Sequence, residues 1–437
     1  MQKKVCITTL GCEKSSPSSA LSHPKVAITT LGCDKNTCDS ETLAGALKAR
    51  GYILVARDED ADIIIVNTCA FIKSARDEAL KVIKSKLSLR EALATKQSRS
   101  IKPKIIVTGC ITVKHKSLLP AGVEVWEIGT YPVTPTARHP FVPKGNIGQK
   151  LLSTPGSYTY IKISDGCNNH CSYCTIPSIR GKYKARPESE ILAEITHFAT
   201  LGVGEFILVA QDLTKYPNLV TLIRNISKIK GVQRIRLHYI YPSGITDALI
   251  TEIKSNPKVC KYLDISFQHV SPRILELMHR PLIDPLAIIK KLDGITIRST
   301  FMVGFPTETE EDFGMLCNFL KAARLDYVGF FKFSREPETP AYSLPQTDAK
   351  TKTARLKAVQ AIQSNILLQK HATLIGKVKK VVCDFADGVL GYSITRSESQ
   401  SPNVDPVIIV NSVLQVGGYY DIKIAGTEKE NLIGEEI

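Results

Sequence analysis

The sequence predicts an α/β chain in three parts: a parallel α/β domain, a longer run of βα units, and a small β-barrel at the C-terminus. Three observations predict this. Strand-like and helix-like periodicities alternate as far as about residue 372. A stretch rich in Pro, Gly, Ser and Thr at 129–157 interrupts them. From residue 373 only short strand-like runs remain.

In the first part, "VAITTL" (26–31), "DIIIVNT" (62–68) and "KIIVTG" (104–109) are β-branched runs bounded by polar or turn residues. "DSETLAGALKAR" (39–50) opens with acids in its first turn, and "KSARDEALKVIKSKL" (73–87) has apolar residues at helical spacing. Strand, helix, strand, helix, strand predicts a parallel sheet. The interruption has the composition of a linker. Beyond it, six strand candidates ("YTYIKIS", "EFILVAQD", "VQRIRLHYI", "YLDISFQ", "GITIRSTFMVGF" and "DYVGFFKFS") mostly precede helical segments, as in an open or closed parallel barrel. A polar helix follows at 348–371. The tail's "KVKKVVCDF", "GVLGYSI", "PVIIVN" and "YYDIKIAG" predict a small barrel. The boundaries are 1–25 (a duplicated extension), 26–140, 141–157 (linker), 158–372 and 373–437.

The duplication is specific. "VCITTLGCEK" (5–14) and "VAITTLGCDK" (26–35) agree at eight of ten positions. Only the second copy runs into an acid-first helix; the first runs into Ser- and Pro-rich chain. Cys33 therefore lies at a strand-to-helix turn, where helix amides stabilise a thiolate, and Cys12 does not.

No apolar run approaches the ~20 residues that span a bilayer. The expectation is a cytoplasmic, monomeric protein without membrane association. Its twelve cysteines then serve as metal ligands, nucleophiles or core residues, because that compartment keeps thiols reduced. The net charge is +15, unevenly spread. Residues 1–150 carry 23 basic against 13 acidic side chains, residues 151–372 carry 28 against 20, and residues 373–437 carry 6 against 9. A basic body fits an anionic neighbour such as nucleic acid, or a solvated lysine-rich surface.

Cys33, Cys69 and Cys110 each end a predicted strand. Adjacent parallel strands end on one side of a sheet, so the three thiols converge at its carboxyl edge and suit a cluster or a metal. "DGCNNHCSYCTIP" sets Cys167, Cys171 and Cys174 in a C-x3-C-x2-C array after a strand. Three thiolates in one tight loop hold three irons of a cubane and leave the fourth open to a small molecule. The rival is a Cys3His zinc site that adds His170, which sits awkwardly beside Cys171 for a closed tetrahedron.

That array at the first strand of a βα barrel, with Tyr173 before the last cysteine, resembles the radical S-adenosylmethionine (SAM) superfamily. The N-terminal three-cysteine domain and the small β domain narrow the resemblance to the methylthiotransferases. "LGCDKNTCDSE", "VNTCAFI", "VTGC", "IRGKYKARP", "VAQDLTKY", "RLHYIYPSGITDALI", "YLDISFQHVSPRIL", "VGFPTETEEDF" and "LIGE" are similar to the RimO type, over residues 26–437. The chain departs from that pattern at Cys38, in "DISFQH", after Tyr216 and in "GCITVKH".

The resemblance implies a radical SAM partial (βα) barrel and a TRAM-like C-terminal barrel. It implies two [4Fe-4S] clusters, one on Cys167, Cys171 and Cys174 that binds SAM, and an auxiliary one on Cys33, Cys69 and Cys110. It implies Glu205, in "GVGEF", at the SAM amino group and Tyr173 near the adenine; Gln268 and His269 face SAM or substrate. The implied substrate is an aspartate of a small-subunit ribosomal protein, free or in the ribosome, with a flavodoxin or ferredoxin as electron donor. Two alternatives stay open: a methylthiotransferase acting on a transfer RNA adenosine, and a non-enzymatic zinc protein that binds RNA. The acidic C-terminal domain favours a basic protein over RNA, because such a surface has little affinity for phosphates.

Overall fold

The computed structural model describes residues 5–6, 23–94, 102–128 and 150–437. These residues form two compact units: 1–153 with 175–182, and 154–174 with 183–437. Cys12 lies outside the described residues.

The first unit is built on a mostly parallel sheet. Its three central strands are β1 (Lys25–Thr30), β2 (Ile63–Thr68) and β3 (Lys104–Gly109), in that order. Each is buried after its first residue or two, as expected for strands covered on both faces. The long helices are Asp34–Lys48 and Lys73–Ala94, with short ones at Ile111–Lys114 and Ile176–Arg180. The first begins five residues before the predicted Asp39, so Cys33 itself is its N-cap residue, with extended backbone. The short strand Val5–Cys6 pairs antiparallel with β1, Val5 opposite Thr30 and Cys6 opposite Thr29. Residues 150–153, predicted as linker, belong to this unit. The Lys150 ammonium lies 3.3 Å from the buried Glu41 carboxylate, which also accepts hydrogen bonds from the Ser153 amide and hydroxyl at 2.8 Å each. The remainder of the predicted linker up to residue 149 lies outside the described residues.

The second unit contains a six-stranded parallel sheet. Its strands are β4 (Tyr158–Lys162), β5 (Glu205–Val209), β6 (Arg234–Ile240), β7 (Val259–Gln268), β8 (Thr296–Val303) and β9 (Tyr327–Lys332), adjacent in chain order. It is an open sheet, which settles the choice between an open and a closed barrel. All six predicted strands are present, and their carboxyl ends share one edge. The polar helix spans Ala349–Ala372.

The C-terminal strands β10 (Val378–Asp387), β11 (Tyr392–Ser397), β12 (Ile408–Val410), β13 (Tyr419–Glu428) and β14 (Asn431–Glu436) close into a barrel in the order β10-β11-β12-β14-β13. Val381, Cys383, Ile408, Val410, Ile422, Ile424 and Leu432 fill it. The last strand, β14, was not among the four strand-like runs of the sequence. Its "NLIGEE" is short and half polar, and only closure against β12 and β13 makes it a strand. Among the described residues, no helix is long and apolar enough to cross a membrane.

Candidate functional site

In the first unit, Cys33, Cys69 and Cys110 follow the carboxyl ends of β1, β2 and β3. Two glycines bring their turns together. Gly32 has φ +103°, and a Cβ there would meet Cys69 Cβ at 2.7 Å and Cys69 Sγ at 3.3 Å. Gly109 has φ +91°, and a Cβ there would collide with Asn67 Oδ1 and the Thr68 backbone. Both glycines adopt a conformation closed to other residues and leave space that a side chain would fill.

Buried polar groups brace these turns. The Asn36 amide donates to Leu31 O at 2.8 Å and to Thr68 O at 3.0 Å, which ties the Cys33 turn to the Cys69 turn. Asn67 Nδ2 donates to Asn36 O at 3.0 Å and to Ser40 Oγ at 2.8 Å. Arg180 completes the brace. Its guanidinium donates to Asp39 Oδ2 at 2.7 Å and to Asn36 Oδ1 at 2.8 Å, and its side chain is 3% exposed. Arg180 also hydrogen-bonds Cys110. Burial, with Cys33 and Cys110 alongside, pushes the Cys69 thiol up to about 12. Burial likewise raises Cys110, against the pull of Arg180. The site is thus three thiols, Cys110 buried and Cys33 and Cys69 half-buried, beside one fixed cation. This donor set fits an iron–sulfur cluster: the thiols lose their protons as metal binds, and the guanidinium offsets part of the resulting charge.

In the second unit, Cys167, Cys171 and Cys174 lie in the loop beyond β4 and are half-buried. The Asn169 amide donates to Cys167 Sγ at 3.4 Å, and Asn169 Nδ2 donates to Asp212 Oδ2 at 3.0 Å, which anchors the loop beyond β5. Arg280 Nη1 lies 3.9 Å from Cys171 Sγ, its guanidinium stacks 4.3 Å from the Tyr241 ring centroid, and Nη2 bonds Ser266 O. Arg280 Nε is buried with no partner among the described residues. Burial raises the Tyr241 phenol above its ordinary range, with Cys171 alongside adding to the rise. N–H and O–H groups aimed at sulfur are the hydrogen bonds that tune an iron–sulfur cluster. Among the described residues, no three His, Cys, Asp or Glu side chains are gathered for a single metal ion.

Tyr173 is half-buried at this edge, edge-on to Phe305 at 6.5 Å and packed against the cluster of Ile274, Met278 and Phe333. Burial raises its phenol well above the ordinary range. Gln268, at the carboxyl end of β7, has φ +72° and a buried Oε1 without a partner among the described residues. His269 Nδ1 accepts from the Ser271 amide at 3.1 Å, which shapes the turn after β7.

The structure corrects the expectation for Glu205. It is the first residue of β5, paired in register with Tyr158 at the start of β4. The cysteine loop leaves the other end of these strands, four residues or about 13 Å along. The Glu205 carboxylate is fully buried and occupied. It accepts from Arg236 Nε at 2.7 Å and from Arg396 Nη1 at 3.1 and 3.2 Å. Burial alone would raise this group, but Arg236, Arg396 and Arg234 hold it down at about 2. Glu205 joins the sheet to the C-terminal barrel and does not reach the cysteine loop. Arg236 therefore has a structural partner, and Arg186 likewise pairs with Glu194.

The groups that sequence reasoning missed are Arg180, Arg280, Tyr241 and Asn36. Arg180 lies in "IRGKYKARP", a stretch already set apart as family-like; Arg280 lies in "MHRP", which carried no signal.

Comparison with known proteins agrees with this architecture. The radical SAM superfamily pattern matches residues 161–320, Uncharacterized protein family UPF0004 matches 25–126, and the TRAM domain matches 375–437. "Ribosomal protein uS12 methylthiotransferase RimO" of Caldicellulosiruptor saccharolyticus is 37% identical, over 92% of this chain and 97% of its own length. The protein of the same name from Geobacter sulfurreducens is 36% identical, over 100% and 99%. Among solved structures, the radical SAM methyltransferase TsrM of Kitasatospora setae shares the fold. Its TM-score is 0.50 at 14% identity, over 73% of this chain and 74% of that one. With near-full-length relatives at this identity, and all three of its parts matched, the chain belongs to the RimO family of radical SAM methylthiotransferases.

Proposed function

We propose that this protein adds a methylthio group to the β-carbon of an aspartate in ribosomal protein uS12. The observation that carries the reading is the second set of three thiols: cleaving SAM needs one cluster, and delivering sulfur needs another. When bound, the cluster on Cys167, Cys171 and Cys174 supplies the electron that turns SAM into a radical able to take hydrogen from an unactivated C–H bond, and the cluster on Cys33, Cys69 and Cys110 supplies the site for the sulfur.

The chain's own residues hold and shield these groups. Asn169 and Arg280 direct N–H groups at the sulfurs of the first set. Arg180 places a fixed positive charge beside the second. Tyr173 closes the apolar side of the SAM-binding edge, where the adenine would lie. The enzyme works as a cytoplasmic monomer and takes electrons from a flavodoxin or ferredoxin.

The test uses anaerobically reconstituted enzyme, expected to hold about eight irons if both clusters are cubanes. With SAM, sulfide and reductant it should add one methylthio group to uS12, read by mass spectrometry of the intact protein and its peptides. Transfer to transfer RNA with uS12 untouched would hand the function to the RNA-modifying alternative. A full zinc complement without visible absorption would end the iron–sulfur reading.

A further inference from the structure

Arg280 is a buried cation without a counter-charge. It is 8% exposed, and among the described residues no carboxylate pairs with it. Other buried arginines of this unit have one: Arg186 pairs with Glu194, Arg236 with Glu205, Arg396 with Asp384 and Arg355 with Glu308. The partners of Arg280 are a sulfur, a ring and a backbone carbonyl, namely Cys171 Sγ, Tyr241 and Ser266 O. A buried charge left so is costly until an anion joins it.

The place of Arg280 in the fold identifies that anion. It follows the helix Pro272–Leu277 and reaches over the carboxyl ends of β6 and β7 to the loop that carries Cys171. Tyr241 is the residue after β6, and its ring covers one face of the guanidinium. Nη1 faces Cys171 Sγ at 3.9 Å, and Nη2 donates to Ser266 O near the end of β7. Nε remains. Its N–H lies on the same edge of the planar fork as Nη2, buried and with no partner among the described residues. Gln268, two residues beyond Ser266, has a buried Oε1 that is likewise without a partner. An unused donor on a fixed cation and an unused acceptor thus lie at one strand end, beside the cysteine loop.

The thiolates are one source of negative charge, and Nη1 is turned to one of them. They leave Nε unused. SAM brings a second source: its α-carboxylate is the one anionic group of the molecule, and a carboxylate matches the fork of a guanidinium. Glu205, expected at the amino-acid head of SAM, stands at the opposite edge of the sheet and does not hold that head. We propose that Arg280 binds the α-carboxylate of SAM on its Nε side while Nη1 stays on Cys171. One guanidinium then touches both the cofactor and a cluster ligand, and it selects an adenosyl sulfonium that carries an amino-acid carboxylate. Gln268 Oε1 is an acceptor for the N–H or O–H donors of the same molecule.

The experiment measures, by calorimetry, the binding of SAM and of decarboxylated SAM to anaerobically reconstituted, unreduced enzyme without uS12. Decarboxylated SAM keeps the sulfonium, the amine and the adenosine and lacks the carboxylate. Wild type should prefer SAM. Arg280→Gln should narrow that preference by about tenfold to a hundredfold, the range for a hydrogen bond to a charged group. Arg280→Lys keeps the charge and loses the fork, and should narrow it by about threefold. Whatever the open iron contributes is common to wild type and variants and cancels when their ratios are compared. Iron content at the wild-type level certifies that a variant is loaded. An unchanged ratio in either loaded variant, with both ligands weakened alike, would assign Arg280 to the cluster alone and overturn the proposal. A wild type that binds both ligands equally would overturn it without any variant. Because uS12 is absent from the assay, failure to methylthiolate uS12 would overturn the substrate reading and leave this result standing.

Discussion

Glu205→Gln separates a structural carboxylate from a cofactor ligand. In the folded chain the Glu205 carboxyl is held at about 2, against an ordinary value of 4.5, by Arg236, Arg396 and Arg234 despite complete burial. At 1.36 kcal/mol per unit, that depression corresponds to about 3 kcal/mol of stability. Removing one partner of a buried ion pair gives the same scale, about 3–5 kcal/mol, because Arg236 and Arg396 keep their charge in a dry site. The direction with pH follows. A folded value below the unfolded one stabilises at every pH above about 4.5, and the contribution fades as pH falls from there towards 2. The assay is urea unfolding followed by circular dichroism, at pH 7 and in acid. Glu205→Gln should lose about 3 kcal/mol at pH 7 and converge with wild type in acid. Its KM for SAM, per loaded cluster, should stay within twofold. A tenfold rise in that KM with unfolding unchanged would restore Glu205 to the SAM site and refute the structural argument.

Two further outcomes bear on the thiols. Arg180→Gln strands the buried Asp39 carboxylate and removes a donor to Cys110, so it should destabilise the first unit by about 3–5 kcal/mol and lose auxiliary iron, while Arg180→Lys recovers part of both in iron and unfolding measurements. Cys33→Ala should lose the auxiliary iron and the methylthio transfer yet keep reductive cleavage of SAM, whereas Cys12→Ala should leave iron content at wild type; the reverse pattern would overturn the choice between the two copies.

Much of this was legible from the sequence because it depends on local period. The three strand-end cysteines of the first unit and the C-x3-C-x2-C loop follow from β-branched runs and from spacing, and the sheet registers place them as those patterns require. Glu205 was misplaced for a physical reason. "GVGEF" shows a strand, but a strand's sequence does not tell which of its ends carries the chemistry until the register is known; in register, Glu205 is level with Tyr158. Its arginines come from 31 and 191 residues further along the chain, and no local pattern predicts that meeting. The same limit hid Arg180, whose partners Asp39 and Asn36 lie 141 and 144 positions away.

The duplicated segment shows why a motif works only in one direction. Both copies carry nearly the same apolar run, the same glycine and the same cysteine. In the second copy the strand is β1, parallel to β2, so Cys33 arrives at the carboxyl edge together with Cys69. There Gly32 makes the close approach to Cys69, and the helix from Asp34 begins at once. In the first copy the described pair Val5–Cys6 lies against β1 antiparallel, and so runs from that edge towards the amino edge. Parallel and antiparallel pairings use different hydrogen-bond ladders, and the described Val5–Cys6 pair points away from the carboxyl edge. The side-chain pattern that makes both copies good strands is indifferent to direction; the cluster site is not. The parallel β1–β2 pairing brings Cys33 out beyond the same edge as Cys69.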